Sequence, residues 1–178
     1  MKKIFILLKE LFIRATKSGV EYARYKGVKI GSNCRIYTRG FGSEPWMITI
    51  GNKVTITSGV ILLTHDGSTW LMNDEKGRRY LFRRVKIGNN VFIGVNSIIM
   101  PGVKIEDNVI IAAGTIVTKS VPSGVIIAGN PAKIIGNYDA YQKEVLEKYV
   151  SDKDMDYTLD YQNRIEKVID NSFKNFLK

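Results

Sequence analysis

Cysteine and histidine are almost absent from this sequence, which has one of each, Cys34 and His65, among 178 residues. A single cysteine excludes an intramolecular disulfide, and Cys34 is predicted to be a small core residue rather than a nucleophile. A single histidine disfavours a zinc enzyme whose metal is held by three histidines, even at a site shared between subunits. We therefore expect no metal requirement, and His65 is the one imidazole that the chain offers for acid–base chemistry.

Acidic residues are also in deficit, with 17 Asp and Glu against 27 Lys and Arg, for a net charge of +10. This excess favours anionic partners, which include nucleic acid, a membrane surface or a phosphorylated ligand. The sequence has no zinc knuckle, no RNP aromatic motif and no helix-turn-helix spacing, so nucleic acid is not expected as a partner.

Long hydrophobic runs are missing as well. The apolar run from Ile4 to Leu8 ends at Lys9 and Glu10, and it is too short for the hydrophobic region of a secretory signal. No other stretch is long enough to span a membrane. A cytoplasmic location is therefore expected.

A repeat of six residues runs from Val85 to Val121. Its members are apolar and β-branched: Ile87, Ile93, Ile99, Ile105, Ile111 and Val117. Another small or β-branched residue follows each of them at the fourth position, and glycines stand between. No α-helix has this period, and an ordinary strand does not restart every six residues. The pattern is typical of a parallel β-helix, in which short strands stack coil on coil with the repeated isoleucine inside.

The repeat also covers residues 28–65, apart from an excursion centred on Gly42–Trp46, and it extends to about Ile134. The two tracts predict about five coils of roughly eighteen residues each. Residues 66–84 abandon the pattern, and we expect them to form a long structureless loop at one corner, which is usually functional.

The two ends of the chain are predicted to be helical. Apolar residues at helical spacing in residues 2–18 indicate an amphipathic helix, which either caps the first coil or lies as a weak basic anchor on a membrane surface. Membrane association is thus at most peripheral. The expected organisation is a helical cap (1–27), a β-helix domain (28–136) with loop 66–84, and an appendage of two short helices (137–178).

Several segments resemble the hexapeptide-repeat acyltransferases of left-handed β-helix fold. They are Ile87–Gly94, Ile111–Gly114, Val117–Lys119 and Ala128–Lys133, together with the more specific Thr64-His65-Asp66 before the long loop. The branch that they resemble contains galactoside, maltose and serine O-acetyltransferases and relatives from polysaccharide gene clusters. The resemblance implies a left-handed coil, a homotrimer, acetyl-CoA as the acyl donor, and transfer to a sugar hydroxyl in surface polysaccharide biosynthesis.

His65 is predicted to be the general base of such a transfer. It stands three residues after the inward position Leu62, so its imidazole should point outward from a corner. A base there would accept the proton of the attacking hydroxyl, and the resemblance implies the same role. Two carboxylates are candidates to orient the ring: the adjacent Asp66, and Glu44 if the excursion folds onto the same corner one coil earlier. Glu44 is alternatively a ligand for a sugar hydroxyl.

The resemblance also implies which residues bind acetyl-CoA in a groove between two subunits: Gly94, Ala113, Thr118, Lys119 and Lys133. The small residues would let the pantetheine arm approach the backbone closely, and the lysines would supply charge for the CoA phosphates. The family commonly has arginine where Lys133 stands.

Acceptor binding is assigned to loop 66–84. Trp70 is a candidate platform for stacking a sugar, and otherwise it packs the loop. Arg83 lies in a basic cluster that binds an acidic glycan, a lipid-linked pyrophosphate sugar or no ligand; its other members are Arg78, Arg79, Arg84 and Lys86. Two other hypotheses stay open: an N-acetyltransferase acting on a nucleotide-linked amino sugar or an antibiotic, and a non-catalytic β-helix that docks through the charged loop. A binding module would release no free thiol from acetyl-CoA.

Overall fold

The structure is a computed structural model that describes residues 2–176. It divides into two compact units, one up to Tyr138 and one from Asp139 onward. The first unit begins with two helices, α1 (Lys2–Thr16), which agrees with the helix expected over residues 2–18, and α2 (Gly19–Tyr25), which was not expected. The two helices are separate because the Ser18 hydroxyl caps the N-terminus of α2 and forms a capping box with Glu21.

The first coil is covered by α2 rather than by α1. Tyr22 and Ala23 of α2 are buried in the core, and the Arg39 guanidinium lies 4.7 Å from the centre of the Tyr22 ring. The large apolar side chains of α1 are instead mostly exposed: Ile4, Phe5, Leu7, Leu8, Leu11 and Phe12. The cap thus comes mainly from α2, and the apolar face of α1 is left uncovered by the residues that the structure describes.

Fifteen short strands follow: β1 (Lys29–Ile30), β2 (Arg35–Ile36), β3 (Ile48–Ile50), β4 (Thr55–Ile56), β5 (Ile61–Leu62), β6 (Asn73–Asp74), β7 (Gly77–Arg78), β8 (Val85–Ile87), β9 (Val91–Ile93), β10 (Ile98–Ile99), β11 (Lys104–Ile105), β12 (Val109–Ile111), β13 (Ile116–Val117), β14 (Val125–Ala128) and β15 (Lys133–Asn137). Three sheets form the walls of the β-helix, in the orders β1-β3-β8-β11, β2-β4-β9-β12-β14-β15 and β5-β10-β13. Apart from β14 with β15, the pairs within these sheets are parallel.

The core follows the six-residue period. The repeated isoleucines and Val117 are almost completely buried, as are the small residues four positions after each. Ile93 pairs with Ile111, eighteen residues later, whereas Ile56 pairs with Ile93, thirty-seven residues later, so loop 66–84 interrupts the chain without changing which residues face inward. The stacked parallel strands confirm this part of the prediction. The coil number stays a prediction, because the sheets contain four, six and three strands.

One corner is held together by a ladder of polar side chains. The backbone N–H of Ser32 donates to Oδ1 of Asn52, that of Asn52 to Oδ1 of Asn89, and that of Asn89 to Oδ1 of Asp107, at 2.7–2.8 Å. The following residue, such as Asn90 with φ 53°, adopts the left-handed conformation that asparagine tolerates. The corners therefore require the short polar residues that separate the inward positions.

The last coil differs from the prediction. β15 runs antiparallel to β14, with Lys133 opposite Ala128. Ile134 is 61% exposed and does not continue the inward series, which ends at the buried Ile127. The reversed strand covers an edge that would otherwise present unpaired backbone groups.

Two helices lie at the C-terminal end, α3 (Tyr138–Lys148) and α4 (Tyr161–Glu166). Their presence confirms the predicted helices at this end, and Phe173, which follows α4, is 98% exposed. The three-part division at residues 27 and 136 stays a prediction. None of the helices within residues 2–176 has the length and apolar character to cross a bilayer.

Candidate functional site

Loop 66–84 has regular local structure, so the prediction of a structureless loop was wrong. It begins with a 3₁₀ turn at Gly67–Leu71, continues through the β6–β7 hairpin, and returns alongside the segment that precedes it. The Asp66 carboxylate caps the turn by accepting from the backbone N–H and the hydroxyl of Ser68, at 2.9 and 2.7 Å. Turn-forming residues therefore satisfy the loop's backbone groups locally.

The returning segment pairs with the backbone around His65. The N–H of Arg83 donates to the carbonyl of Thr64 at 2.7 Å, and His65 lies opposite Phe82 in an antiparallel bridge. The ring centres of Phe82 and His65 are 6.0 Å apart. His65 is thus held at the mouth of the loop, with 37% of its side chain exposed.

Glu44 approaches the imidazole from the excursion of the preceding coil. Its Oε2 lies 2.9 Å from Nδ1 of His65 and accepts a hydrogen bond of 2.6 Å from the hydroxyl of Thr64. A carboxylate oxygen only accepts, so Nδ1 carries a hydrogen, and in the neutral form of the ring Nε2 then has the free lone pair. Of the two candidate carboxylates, Glu44 contacts the ring, while that of Asp66 is bound to Ser68.

The Glu44 carboxylate is held in its charged form. The Thr64 hydroxyl is the main cause that lowers the pKa of Glu44, His65 adds to it, and partial burial opposes both. The Glu44 side chain is only 15% exposed, so its charge acts on the imidazole with little screening by solvent. Within residues 2–176, no three His, Cys, Asp or Glu side chains converge in a way that could hold a metal ion.

His65 lies between two surface depressions. The loop depression has a volume of about 260 Å³ and is lined by Ser43, Glu44, His65, Asp66, Thr69, Arg78, Tyr80, Leu81 and Phe82. The coil depression has a volume of about 350 Å³ and is lined by Leu63, His65, Asp66, Gly67, Leu81, Met100, Pro101 and Thr118. The His65 imidazole therefore borders two recesses.

The residues expected to bind acetyl-CoA are only partly brought together. Thr118 lines the coil depression beside His65. Gly94 packs closely against Ala113 on the neighbouring coil. A Cβ at Gly94 would lie only 2.5 Å from the Ala113 nitrogen. Lys119 and Lys133 are exposed, and neither lines one of these two depressions.

The residues expected to bind the acceptor lie outside the loop depression. Trp70 stacks on the guanidinium of Arg78, whereas Arg83 packs against Gly102. Arg78 and Tyr80 line the depression instead; the sequence placed Arg78 in the basic cluster but gave neither residue an individual role. The available signal was the alternate spacing of Arg78, Tyr80 and Phe82, since alternate residues of an extended segment share one face.

Comparison with known proteins agrees with this architecture. A family model described as the hexapeptide repeat of succinyl-transferase matches residues 84–119. The chain is 47% identical over 155 residues to Protein CapG of Staphylococcus aureus, covering 84% of this chain and 90% of that protein. It is 35% identical over 136 residues to galactoside O-acetyltransferase of Escherichia coli (strain K12), covering 72% and 66%. A solved structure of galactoside acetyltransferase in complex with coenzyme A matches with a TM-score of 0.50 and 25% identity, covering 75% and 76%.

The family match falls where the six-residue period is uninterrupted, at residues 84–119. The repeat and the similarity to solved acetyltransferases imply the left hand of the coil, which strand registers alone do not show. The resemblance stated from the sequence is thereby confirmed. With almost half of its residues identical to those of a relative over most of both chains, this protein belongs to the hexapeptide-repeat acyltransferase family.

Proposed function

We propose that this protein is an acetyl-CoA-dependent O-acetyltransferase that acts on a sugar hydroxyl, with His65 as the general base. The observation that carries the proposal is the position of the imidazole between the two depressions, with Nδ1 bonded to Glu44. A base at this position can contact an acceptor on one side and an acyl donor on the other. Similarity to a galactoside O-acetyltransferase, and to an enzyme solved with coenzyme A, supports this choice of substrates.

The proposed reaction is a direct transfer. The acceptor lies in the loop depression, and its hydroxyl gives its proton to Nε2 of His65 as the oxygen attacks the thioester carbonyl carbon. The new C–O bond forms, the C–S bond breaks, and the proton passes from the imidazole to the departing thiolate. Glu44 is a positioning residue that holds the ring and stabilises its transient positive charge.

The coil depression is the proposed place for the acyl end of acetyl-CoA. Its wall combines the apolar Met100 and Pro101 with the hydroxyl of Thr118, which suits a pantetheine arm with both apolar and amide groups. The pantetheine arm would lie along the coils against Gly94 and Ala113. Lys119 and Lys133 would bind the phosphates of CoA. We propose a homotrimer in which a neighbouring copy closes this groove.

The test is a thiol-release assay with acetyl-CoA against sugars, sugar nucleotides, amino sugars and aminoglycoside antibiotics. We expect release that depends on a sugar hydroxyl, with a product ester that mild base cleaves. Base-stable products formed only from amines would assign N-acetyl transfer. A non-catalytic binding module would release no thiol with any acceptor in the panel. That result would refute the proposal.

We further propose that the reaction takes place in the cytoplasm and serves surface polysaccharide synthesis, with membrane contact at most peripheral and no role for nucleic acid. Residues 28–136 would form the catalytic domain, residues 1–27 a cap and residues 137–178 an appendage. These proposals rest on the sequence resemblance. The O-acetyl content of surface polysaccharide in cells with and without the gene tests the pathway.

A further inference from the structure

Arg78 places a guanidinium in the wall of the loop depression. It ends the β6–β7 hairpin, whose turn closes through Gly77 with φ 82°. The guanidinium carbon lies 5.0 Å from the centre of the Trp70 ring and 4.5 Å from that of Tyr80. Contact with two aromatic rings restricts the plane of the guanidinium, so the group is held in one orientation.

Apart from the two aromatic rings, this guanidinium has no hydrogen-bond or ion-pair partner among residues 2–176. Its Nε is buried and has no hydrogen-bond acceptor among residues 2–176, and no carboxylate in that range forms an ion pair with it. The next residue is different, because Arg79 donates to the carbonyl of Gly77 at 2.8 Å and pairs with Asp74. A buried donor without an acceptor is unfavourable, so a ligand that supplies one gains affinity.

The other charged groups of the loop depression are already engaged. The Glu44 carboxylate accepts from the Thr64 hydroxyl and contacts Nδ1 of His65, while the Asp66 carboxylate accepts twice from Ser68. Both carboxylates are anionic, but neither forms an ion pair or a hydrogen bond with Arg78. Within the described part of the chain, Arg78 is the one lysine or arginine side chain that lines the loop depression, where it lies on the same wall as the proposed base.

The aromatic side chains connect this cation to the base. Tyr80 stacks on Phe82 with ring centres 6.1 Å apart and an interplanar angle of 8°, and Phe82 packs on His65 at 6.0 Å. The three side chains of Arg78, Tyr80 and Phe82 alternate along one extended segment and so share a face. Their packing sets the separation between the guanidinium and the imidazole.

We infer that Arg78 is a specificity-determining residue that selects an acceptor with an anionic group, a carboxylate or a phosphate, near the hydroxyl that is acetylated. The inference rests on the proposed function and narrows its substrate class. The planar guanidinium matches both kinds of anion through paired hydrogen bonds. Trp70 acts by positioning Arg78 rather than by stacking on the sugar.

The experiment compares three acceptors: methyl galactoside, which is neutral, methyl galacturonoside, which carries a carboxylate, and UDP-galactose, which carries a diphosphate. Arg78→Gln is expected to raise KM for the anionic acceptor at least about tenfold, and to leave kcat and the neutral acceptor within about twofold. Arg79→Gln removes the same charge from an exposed ion pair and should change KM by less than about twofold. The anionic acceptor whose KM rises in Arg78→Gln shows whether Arg78 binds a carboxylate or a phosphate.

Arg78→Lys keeps the charge without the planar fork and should give an intermediate KM. A KM that is unchanged in Arg78→Gln, or that rises equally for neutral and anionic acceptors, would overturn the inference. Binding of the same three compounds to His65→Ala, alone and combined with Arg78→Gln, separates selection from catalysis. If no acceptor is acetylated, the proposed function fails and with it the acceptor role of Arg78, whereas Arg78-dependent binding of an anionic compound would still assign an anion site to this residue. Binding that does not depend on Arg78 refutes that site as well.

Discussion

His65 and Glu44 are twenty-one residues apart in the chain, and their contact depends on how the excursion of one coil folds over the next. Gly42 makes this possible. It adopts φ 63°, and even a Cβ at this position would lie 3.1 Å from the carbonyl oxygen of Leu62. Ser43 is the one residue between Gly42 and Glu44, and the Glu44 carboxylate contacts both the Thr64 hydroxyl and the imidazole. Glu44, which lies outside the six-residue repeat, thus becomes part of the candidate site.

Removal of the imidazole tests the proposed base. We expect His65→Ala to reduce kcat by about two to four orders of magnitude, because the hydroxyl then has no positioned proton acceptor. The fold should be unaffected, since the side chain is partly exposed and lies outside the core. Steady-state thiol release gives kcat, and circular dichroism with sedimentation provides the control. Turnover close to that of the wild type would remove His65 from the mechanism.

The charge of Glu44 is expected to make stability depend on pH. Its pKa in the folded protein is below the ordinary value of 4.5, chiefly through the Thr64 hydroxyl. The folded state therefore favours the carboxylate, and the resulting stabilisation is present above pH 4.5 and is lost as the pH falls through the folded-state pKa.

Comparison of Glu44→Gln with its parent, both in the His65→Ala background, measures this effect without the titration of the imidazole. We expect the parent to have the larger unfolding free energy at pH 6, and the difference to shrink as the pH falls below 4.5. Urea unfolding at several pH values gives both quantities. A difference that grows towards acid pH would contradict the assigned direction of the pKa shift.

At the scale of elements, each strand is too short to be stable alone, and stacking supplies its partners. The six-residue period predicted the inward face correctly because every coil has the same interior to fill. The same reasoning failed for β15 and for loop 66–84, because the six-residue repeat is absent from both segments. There, hairpin pairing and a 3₁₀ turn satisfy the backbone through local hydrogen bonds.

Close packing between coils makes Gly94 sensitive to substitution. In Gly94→Ala, the added methyl group would lie 2.5 Å from the Ala113 nitrogen and 2.8 Å from other backbone atoms, which cannot move without shifting the coil. We expect a loss of about 1–3 kcal/mol in unfolding free energy. Gly67→Ala is the matched control, because nothing lies within 4 Å of its Cβ position. Equal melting temperatures for the two variants would show that the coils are not in tight contact here.

At the scale of the whole molecule, the coil depression contains one of the five residues expected to bind CoA. Thr118 borders the coil depression, but Lys119 and Lys133 line neither depression. The proposed homotrimer resolves this, since one copy can supply the recess and a neighbour the phosphate-binding charges.

If the site is shared, activity per chain should fall when the protein is diluted below the concentration at which trimers dissociate. Analytical ultracentrifugation gives that concentration, and thiol release over the same range gives the activity. We expect the two transitions to coincide. A monomer with full activity would contradict a groove formed between subunits.

The sequence by itself determined the stacked parallel strands, the inward residues, the helical ends and the outward corner position of His65. It could do so because a coil that repeats every eighteen residues, as from Ile93 to Ile111, imposes the same burial on every turn. Only the tertiary structure decided that Glu44 rather than Asp66 meets the imidazole, and that Arg78 enters the loop depression. Those contacts join segments from an excursion and a loop, whose positions depend on coil stacking and hairpin pairing rather than on any spacing along the chain.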